Sequence, residues 1–431
     1  MNEEQDKKAS VQMSEYSFIK EVIKERPRSK KKIAVRCVCF VLGALVFGMI
    51  ASVVMAFVTP WMEELLYGKK EAEVVTIPKD ELPQTEVTAT ATPVPTQEPV
   101  VNVVEKKLEA TDYVSLYREI YRLSEKVKDS LVTVVGVSSN VDWLNNPYEN
   151  EGQASGIVVA DNGKEFLILT DKKVIENAQE IKILLENGES APAVQKKYDG
   201  NTGLAILAAE RKSISEEGLK QIQIVTLGNS KLLQLGAPVL AVGSPLGTAD
   251  SVLSGNITSL KTFSDTEDVG YPLIRTDMLG STGGNGVLID YNGEVVGIFT
   301  RDLSASSENG TITAYAISDL KGMIERLSNN LGIAYLGVKC REVTKEDQET
   351  YHMPSGVGVT KVSMDSPAMT GGIQSGDIIV EMEGKSITTQ REFENAVSSC
   401  EPEQLVSIIV MRPGTEGYVE VKLDITLSVM Q

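Results

Sequence analysis

The chain has 431 residues, of which 42% are hydrophobic, and this is enough apolar material for two or three folded domains. Four scattered cysteines and a single histidine, His352, form no cluster with the spacing of a zinc, haem or iron–sulfur site, so no metal and no cofactor are expected. The net charge is −18, and because residues 1–36 are basic the remainder is still more acidic, which argues against nucleic acid as a partner.

An apolar run without charges, Cys37 to Met62, follows the basic segment. About 20 apolar residues suffice to cross a bilayer as a helix. The excess of Lys and Arg before the run predicts that residues 1–36 are cytoplasmic and that the bulk of the chain is extracytoplasmic. A cleaved signal peptide is the alternative, although the run is longer than a usual signal core and no clear small-x-small site follows it. We therefore predict a single-pass protein of the cell membrane, anchored by residues 37–62.

Residues 63–110 are rich in Thr, Pro and Glu and are predicted to form a solvated linker. A helix is expected next, because apolar residues then recur at helical spacing. These residues are Leu116, Ile120, Leu123 and Val127.

Short strand-like segments follow from Leu131 to about residue 330, separated by Gly, Asn and Asp turns. This pattern indicates antiparallel β-barrels or a sandwich. Only DLKGMIERLSNN, residues 319–330, is typical of a helix in this region.

The motifs of this region occur in a specific order: SGIVV, FLILTDKKVIENA, NTGLAILA, LGNSKLLQLGAPVLAVGSPLG, SGNITSL, RTDM, GVLIDYNGEVVGI and AYAIS. In that order they resemble the trypsin-like domain of the HtrA/DegP family of serine proteases. The resemblance covers about 200 residues and implies a double β-barrel over residues 111–330 with a catalytic cleft between the barrels.

The family's catalytic positions are all substituted here. The motif that carries the histidine base matches Leu169 to Ile175 and has Lys173 in its place, and the motif of the orienting aspartate has Gly203. Counting back from Leu288 without a gap puts Gly284 where the nucleophilic serine is expected. A serine hydroxyl needs a base, an orienting carboxylate and an oxyanion hole to act as a nucleophile. The resemblance therefore implies a degenerate member, a pseudoprotease.

Two alternatives stay open at this cleft. A gapped alignment offers Thr282 as the nucleophile, with Ser281 beside it, and Lys173 would then act as a base if burial lowered its pKa. The other reading is a lysine whose ammonium reaches water. Likewise, the glycine-rich run from Gly283 to Gly286 is either a remodelled oxyanion nest or a turn.

Residues 331–431 resemble the α+β PDZ domain that follows the protease in this family. The resemblance rests on four segments: YLGV, GVGVTKVSMDSPAMTGGIQSGDIIVEMEGKSI, TQREFENAVSS and VSIIVMRPG. It implies that the loop of Tyr335, Leu336, Gly337 and Val338 holds a peptide carboxylate and that the peptide adds as a strand beside a helix. A bulky residue at Gly337 is expected to block this loop without disturbing the core.

That helix is expected over about residues 390–399, where Phe393 and Val397 either line the peptide groove or fill the core. Cys340 and Cys400 would flank the groove and are expected to remain free thiols.

The overall expectation is a mainly β protein with a transmembrane helix, a trypsin-like double barrel and a PDZ domain. It would bind protein C-termini or unfolded segments of envelope or secreted proteins, as an adaptor, a holdase or a regulator, alone, as a homo-oligomer or with an active HtrA relative. One alternative is a serine-type endopeptidase with a Lys/Thr or Lys/Ser site. Another is a sensor that signals inward through residues 1–36.

Overall fold

The computed structural model describes residues 72–80, 109–141, 147–307, 309–415 and 417–430, all within one compact unit, Glu71–Gln431. The cytoplasmic segment, the membrane helix predicted over 37–62 and most of the predicted linker lie outside these residues. Within the described ranges, no helix is both long and apolar enough to cross a membrane.

Eight α-helices occur in the described part of the chain. They are α1 Ala110–Lys128, α2 Lys172–Ile175, α3 Glu216–Gln221, α4 Arg301–Ser306, α5 Ile317–Ser328, α6 Lys345–Tyr351, α7 Pro367–Thr370 and α8 Gln390–Ser398. Three of them, α1, α5 and α8, were predicted from the sequence. A capping box between Glu109 and Asp112 begins α1. The helices α2, α3 and α4 were not predicted, because helices of four to six residues are too short to show a 3.6-residue period.

The first half of the peptidase-like region is a seven-stranded antiparallel sheet with the strand order β5-β4-β1-β2-β3-β7-β6. Its strands are β1 Leu131–Val141, β2 Pro147–Asp161, β3 Glu165–Asp171, β4 Glu180–Leu184, β5 Ser190–Pro192, β6 Val194–Tyr198 and β7 Leu204–Glu210. All residues of β3 except Glu165 are buried, because the strand runs between β2 and β7 with both faces covered.

The second half closes into a six-stranded barrel with the strand order β10-β13-β12-β11-β8-β9. Its strands are β8 Pro238–Ser244, β9 Ser251–Phe263, β10 Pro272–Leu279, β11 Asn285–Ile289, β12 Val295–Phe299 and β13 Thr311–Ala316. The sequence predicted two barrels. The barrel in this half is closed by β9 pairing with β10, whereas in the first half β5 and β6 are the two end strands of a sheet among the described residues.

One apolar core joins the two halves. It contains Leu167 and Leu169 from β3 together with Leu240 from β8 and Val287 from β11, and all four are fully buried. The short helices α2 and α4 follow β3 and β12, so each begins where its strand leaves this shared core.

A strap of residues 72–80 packs against α5, although its composition predicted a solvated linker. Val75 and Ile77 are buried, and their N–H groups donate to the side chains of Asn329 and Glu325 at 2.9 Å each. The strap has only two buried apolar side chains, so no hydrophobic period marks it in the sequence.

The C-terminal domain has the mixed α+β architecture predicted for it. Its main sheet has the order β15-β16-β17-β19-β20, with β18 paired to β17 and a separate ladder of β14 with β21. These strands are β14 Ala334–Tyr335, β15 Val338–Glu342, β16 Val357–Val362, β17 Ile378–Met382, β18 Lys385–Ser386, β19 Leu405–Gly414, β20 Gly417–Thr426 and β21 Ser428–Val429. The helix α8 presents Phe393, Ala396 and Val397 to the domain core.

Candidate functional site

The position of the catalytic base lies on α2, directly after β3. The buried carboxylate of Asp171 fixes this turn, because it accepts hydrogen bonds from the N–H groups of Lys173 and Arg301, each at 2.9 Å. Burial raises the pKa of Asp171, while these two N–H groups act in the opposite direction. The carboxylate therefore ties the end of β3 to the start of α4.

Lys173 itself is paired. Its ammonium donates a hydrogen bond to the carboxylate of Asp302 on α4, and the two side chains are 50% and 48% exposed. This hydrogen bond raises the pKa of Lys173 above its ordinary value. A general base must be unprotonated near the working pH, so the environment of Lys173 moves it away from that role.

The position of the orienting aspartate, Gly203, lies beside the same ion pair. A Cβ atom added at Gly203 would be 3.4 Å from Asp302 Oδ2, and the backbone φ of +69° favours glycine at this place. A carboxylate thus lies near Lys173, but it belongs to Asp302 and not to residue 203. Asp302 was not predicted as a site residue, because no family motif includes it.

The position of the nucleophile lies in a tight turn from Ser281 to Gly284. The N–H of Gly284 donates to the carbonyl of Ser281 at 2.8 Å, and the N–H of Gly283 donates to Ser281 Oγ at 3.3 Å. A Cβ atom at Gly284 would lie 2.6 Å from the carbonyl oxygen of Pro245, so a serine does not fit without a backbone shift. The N–H groups of Gly283 and Gly284 are therefore hydrogen-bonded within the turn, whereas an oxyanion hole needs N–H groups that are free to donate.

The two substitute hydroxyls are not joined to Lys173. Thr282 is exposed, and Ser281 is half-buried with its hydroxyl accepting the bond from Gly283. Among the residues that the structure describes, neither hydroxyl shares a hydrogen bond with Lys173, whose ammonium is bound to Asp302.

The PDZ loop holds a carboxylate. The N–H groups of Leu336, Gly337 and Val338 donate to the side chain of Asp268 at 2.7, 2.9 and 2.9 Å. Asp268 lies between β9 and β10 of the barrel and is 4% exposed. Tyr335, the fourth predicted loop residue, donates its hydroxyl hydrogen bond to Glu267 at 2.5 Å.

Gly337 is required by the fold of this loop. Its φ is +89°, and an added Cβ atom would lie 2.3 Å from Ser366 Cβ. The expectation that a bulky residue here blocks the loop without disturbing the core is therefore wrong, since any side chain at Gly337 collides with Ser366.

The two helix residues predicted to line the groove or the core are buried in the core. Phe393 and Val397 are 0% and 1% exposed. The space between α8 and β15 is a cavity of about 790 Å³ that extends to the barrel. It is lined by Gln390 and Glu394 on the helix, by Lys339 and Cys340 on the strand, and by apolar barrel residues such as Leu273. Cys340 and Cys400 are both free thiols, as expected, and burial raises the pKa of each.

No group of three or more His, Cys, Asp or Glu in the described ranges is arranged to hold a metal ion.

Comparison with known proteins matches residues 154–298 to the family "Trypsin-like peptidase domain" and residues 334–423 to the family "PDZ domain". The chain is 30% identical over 280 residues to a probable periplasmic serine endoprotease DegP-like of Pseudomonas fulva, and the match covers 63% of this chain and 56% of that protein. It is 28% identical over 303 residues to the serine protease Do-like HtrA of Lactobacillus helveticus, covering 65% of this chain and 70% of that protein. The match thus spans little more than half the length of the DegP-like relative.

Among solved structures, the chain is similar to the HtrA-type protease AlgW with decapeptide. The TM-score is 0.54 at 22% identity, and the match covers 72% of this chain and 99% of the other. This likeness supports the fold alone.

The fold and the family matches define a trypsin-like peptidase domain followed by a PDZ domain. More particularly, the chain is similar to the HtrA family, with DegP-type endoproteases among its relatives.

Proposed function

We propose that this protein is a membrane-anchored, extracytoplasmic member of the HtrA family that does not cleave peptide bonds. It binds carboxyl-terminal or unfolded segments of envelope or secreted proteins through its PDZ domain. It acts there as an adaptor, a holdase or a regulator of an active relative.

The observation that carries the loss of catalysis is the ion pair of Lys173 and Asp302. The pair keeps the residue at the base position protonated, and the glycine at the nucleophile position leaves no space for a hydroxyl. Removing one member of a serine triad already costs orders of magnitude in rate, and the rest then acts only through binding.

Peptide binding is supported by the PDZ loop. Its three backbone N–H groups converge on one carboxylate, which is also the chemical group at the end of every free polypeptide. The similar AlgW structures were solved with a decapeptide and with a tripeptide.

The second candidate function is a serine-type endopeptidase for protein quality control, with a Lys/Thr or Lys/Ser site. The names of the relatives favour it, because they are serine endoproteases, and on that ground it has at least as much support as the first. It requires Lys173 to leave Asp302 and reach Ser281 or Thr282.

Proteolysis separates the two candidates. The full chain is incubated with labelled, unfolded casein from pH 7 to 9 and with a serine-directed phosphonate, beside Lys173→Ala, Ser281→Ala and Thr282→Ala. We expect neither cleavage nor labelling. Cleavage that any one of the three substitutions abolishes would establish the endopeptidase.

Peptide binding is tested by calorimetry with decapeptides that share one sequence and differ in a free or amidated carboxyl end. The free acids are expected to bind with a dissociation constant of roughly 1 to 100 μM, since a short peptide must be ordered on binding. Equal binding of acid and amide would exclude carboxylate capture.

The membrane anchor rests on residues 37–62 and on the basic segment before them, which lie outside the described residues. The relatives named periplasmic agree with an extracytoplasmic body. Protease added to intact cells should degrade the region after Trp61 and spare residues 1–36. Protection of the long C-terminal part would contradict this topology. Assembly into a homo-oligomer, or with an active relative, is measured on the same preparation by light scattering.

A further inference from the structure

The loop between β9 and β10, residues 264–271, reaches from the barrel into the PDZ domain. Its sequence, SDTEDVGY, carries three carboxylates in four positions, Asp265, Glu267 and Asp268. Exposed loops are ordinarily acidic for solubility, yet Asp268 is 4% exposed. A carboxylate is buried in this way only where hydrogen bonds or charges compensate for the lost water.

That compensation comes entirely from the PDZ loop. Asp268 Oδ2 accepts from Leu336 N at 2.7 Å and from Gly337 N at 3.0 Å, and Oδ1 accepts from Gly337 N and Val338 N at 2.9 Å each. The N–H of Asp268 in turn donates to the carbonyl of Val338 at 2.8 Å. The PDZ loop therefore binds both carboxylate oxygens and the backbone N–H of Asp268 in the way in which it would bind the carboxyl end of a peptide.

The loop also contacts both walls of the peptide groove. Gly270 N donates to Glu394 Oε1 on α8 at 3.0 Å, and the ammonium of Lys339 on β15 donates to the carbonyl of Asp265 at 2.8 Å. The segment thus spans the space between the helix and the strand, where a peptide would add to the sheet.

A third set of contacts connects the loop to the first sheet. Asn201, in the turn before β7, donates its amide to the carbonyl of Glu267 at 2.7 Å and accepts from Glu267 N at 3.2 Å. The Glu267 carboxylate accepts from Tyr335 and from Ser363 in the PDZ domain. The position of this loop therefore depends on the sheet, the barrel and the PDZ domain together.

A second carboxylate cannot enter while Asp268 is in place. The three N–H groups of the loop are all used, and a further anion would face the buried charge of Asp268 with Glu267 close by. Binding of Asp268 and binding of a peptide end therefore exclude one another.

We propose that Asp268 is an internal ligand of the PDZ carboxylate site, so that a free peptide carboxylate binds only after the 264–270 loop has left it. This inference rests on the proposed function of the PDZ domain as a receptor for peptide ends. Peptide binding then releases a loop that joins two strands of the barrel, and the apparent affinity for peptides is the intrinsic affinity multiplied by the fraction of molecules with the loop displaced.

The experiment compares the full chain with Asp268→Gly, which removes the carboxylate and suits the left-handed backbone at this position, where φ is +62°. Asp268→Asn is the second variant, because asparagine also tolerates this backbone but lacks the charge. The matched control is Asp265→Asn, in the same loop. The Asp265 side chain is 91% exposed and pairs with Lys339 at 2.7 Å, but it does not contact the three N–H groups, and an ion pair this exposed contributes little.

Two quantities are measured. The first is hydrogen exchange at the amides of residues 336–338, and the second is the affinity for labelled decapeptides of one common sequence ending in Ala, Val, Leu or Phe, as free acids and as amides. In Asp268→Gly we expect exchange at these amides to become at least about tenfold faster and the free acids to bind at least about tenfold more tightly. The Asp265→Asn control should resemble the unmodified chain in both.

Unchanged exchange in both Asp268 variants would overturn the proposal, because the amides would then not depend on Asp268. Faster exchange with equal affinity of wild type and variant for the free acids would also overturn it, while leaving peptide binding intact. Faster exchange with no binding of any free acid would refute the proposed function, and Asp268 would stand as the ligand of a loop that receives no peptide.

Discussion

The ammonium of Lys173 and the carboxylate of Asp302 form an ion pair between two segments 129 residues apart in the chain. The pair lies beside Gly203, which aligns with the orienting aspartate of the family. A side chain at the base position and a carboxylate therefore still contact each other here, but the carboxylate comes from residue 302 and not from residue 203. In a working triad the carboxylate holds a base whose protonation changes during the reaction. Here it holds a cation whose pKa it raises.

The Lys173–Asp302 pair is expected to contribute little to stability. Both side chains are about half exposed, and exposed ion pairs are typically worth less than about 1 kcal/mol. Lys173→Ala and Asp302→Ala should therefore each change the free energy of unfolding in urea by less than about 1 kcal/mol. A loss of more than about 2 kcal/mol in either variant would indicate that the pair is a structural element of the cleft.

Gly284→Ser, at the position that the ungapped alignment gives to the nucleophile, is expected to destabilise the peptidase domain. The added Cβ atom would meet the Pro245 carbonyl at 2.6 Å and the Ser281 carbonyl at 2.9 Å. The cost of such overpacking is about 1 to 3 kcal/mol, measured as a lower midpoint in urea denaturation.

The matched control for that substitution is Gly283→Ser, one residue earlier. Its Cβ atom would be 4.0 Å from Ser281 Oγ, which is ordinary contact, so its unfolding should be near that of the unmodified chain. Equal stability of the two serine variants would show that the turn adjusts freely and that a nucleophile fits there.

The strap of residues 72–80 is expected to depend on Asp80. The carboxylate of Asp80 accepts from Lys321 Nζ at 2.8 Å and from Ser318 Oγ at 2.7 Å, and the Lys321 side chain is only 5% exposed. Asp80→Ala leaves this buried ammonium unpaired, which should cost about 3 kcal/mol of unfolding free energy. Limited proteolysis should then cut the strap first.

Lys79→Ala is the control for Asp80→Ala, because Lys79 is exposed. The same protease sensitivity in both variants would mean that the strap is not held by Asp80.

Peptide binding is expected to weaken as the pH falls. Burial raises the pKa of Asp268 to about 6 in the docked loop, against the opposing effect of the N–H groups of residues 336–338. The carboxylate of the released loop has its ordinary pKa near 3.8. Because the docked loop has the higher pKa, protonation stabilises the docked loop relative to the released loop, and this stabilisation grows as the pH falls through 6. The titratable groups that interact with Asp268 are Glu267 on its own loop and Tyr335 and Cys340 in the PDZ domain. Lys339 and Glu394 contact the neighbouring loop residues Asp265 and Gly270.

The peptide's own terminal carboxylate remains ionised from pH 7.5 down to pH 5, since its pKa is roughly 3.5. The apparent affinity of a free-acid decapeptide should therefore be about tenfold lower at pH 5 than at pH 7.5. Fluorescence anisotropy measures this, and the dependence should disappear in Asp268→Gly. The same dependence in that variant would assign it to another group.

The sequence alone was sufficient to predict the order of the two domains, which the family matches confirm, and to align Lys173, Gly203 and Gly284 with the catalytic positions and residues 335–338 with the PDZ loop. It could do so because each of these is a short local pattern: strand and turn signals, a run of apolar residues, or a motif read at fixed spacing. The helices α1 and α5 were predictable for the same reason, since each is long enough to repeat its period, and α8 was predicted from the resemblance to PDZ domains.

Which charged groups contact one another depends on how distant chain segments pack in the folded protein. Asp302 reaches Lys173 because β3 and β12 end at the same side of the shared core, and Asp268 reaches Gly337 because the β9–β10 loop crosses to the PDZ domain. Likewise, Asp80 in the strap pairs with Lys321, which lies 241 residues later in the chain. A carboxylate in a loop has the same appearance in the sequence whether it faces water or three N–H groups, because its environment is created by chain segments that come together only on folding.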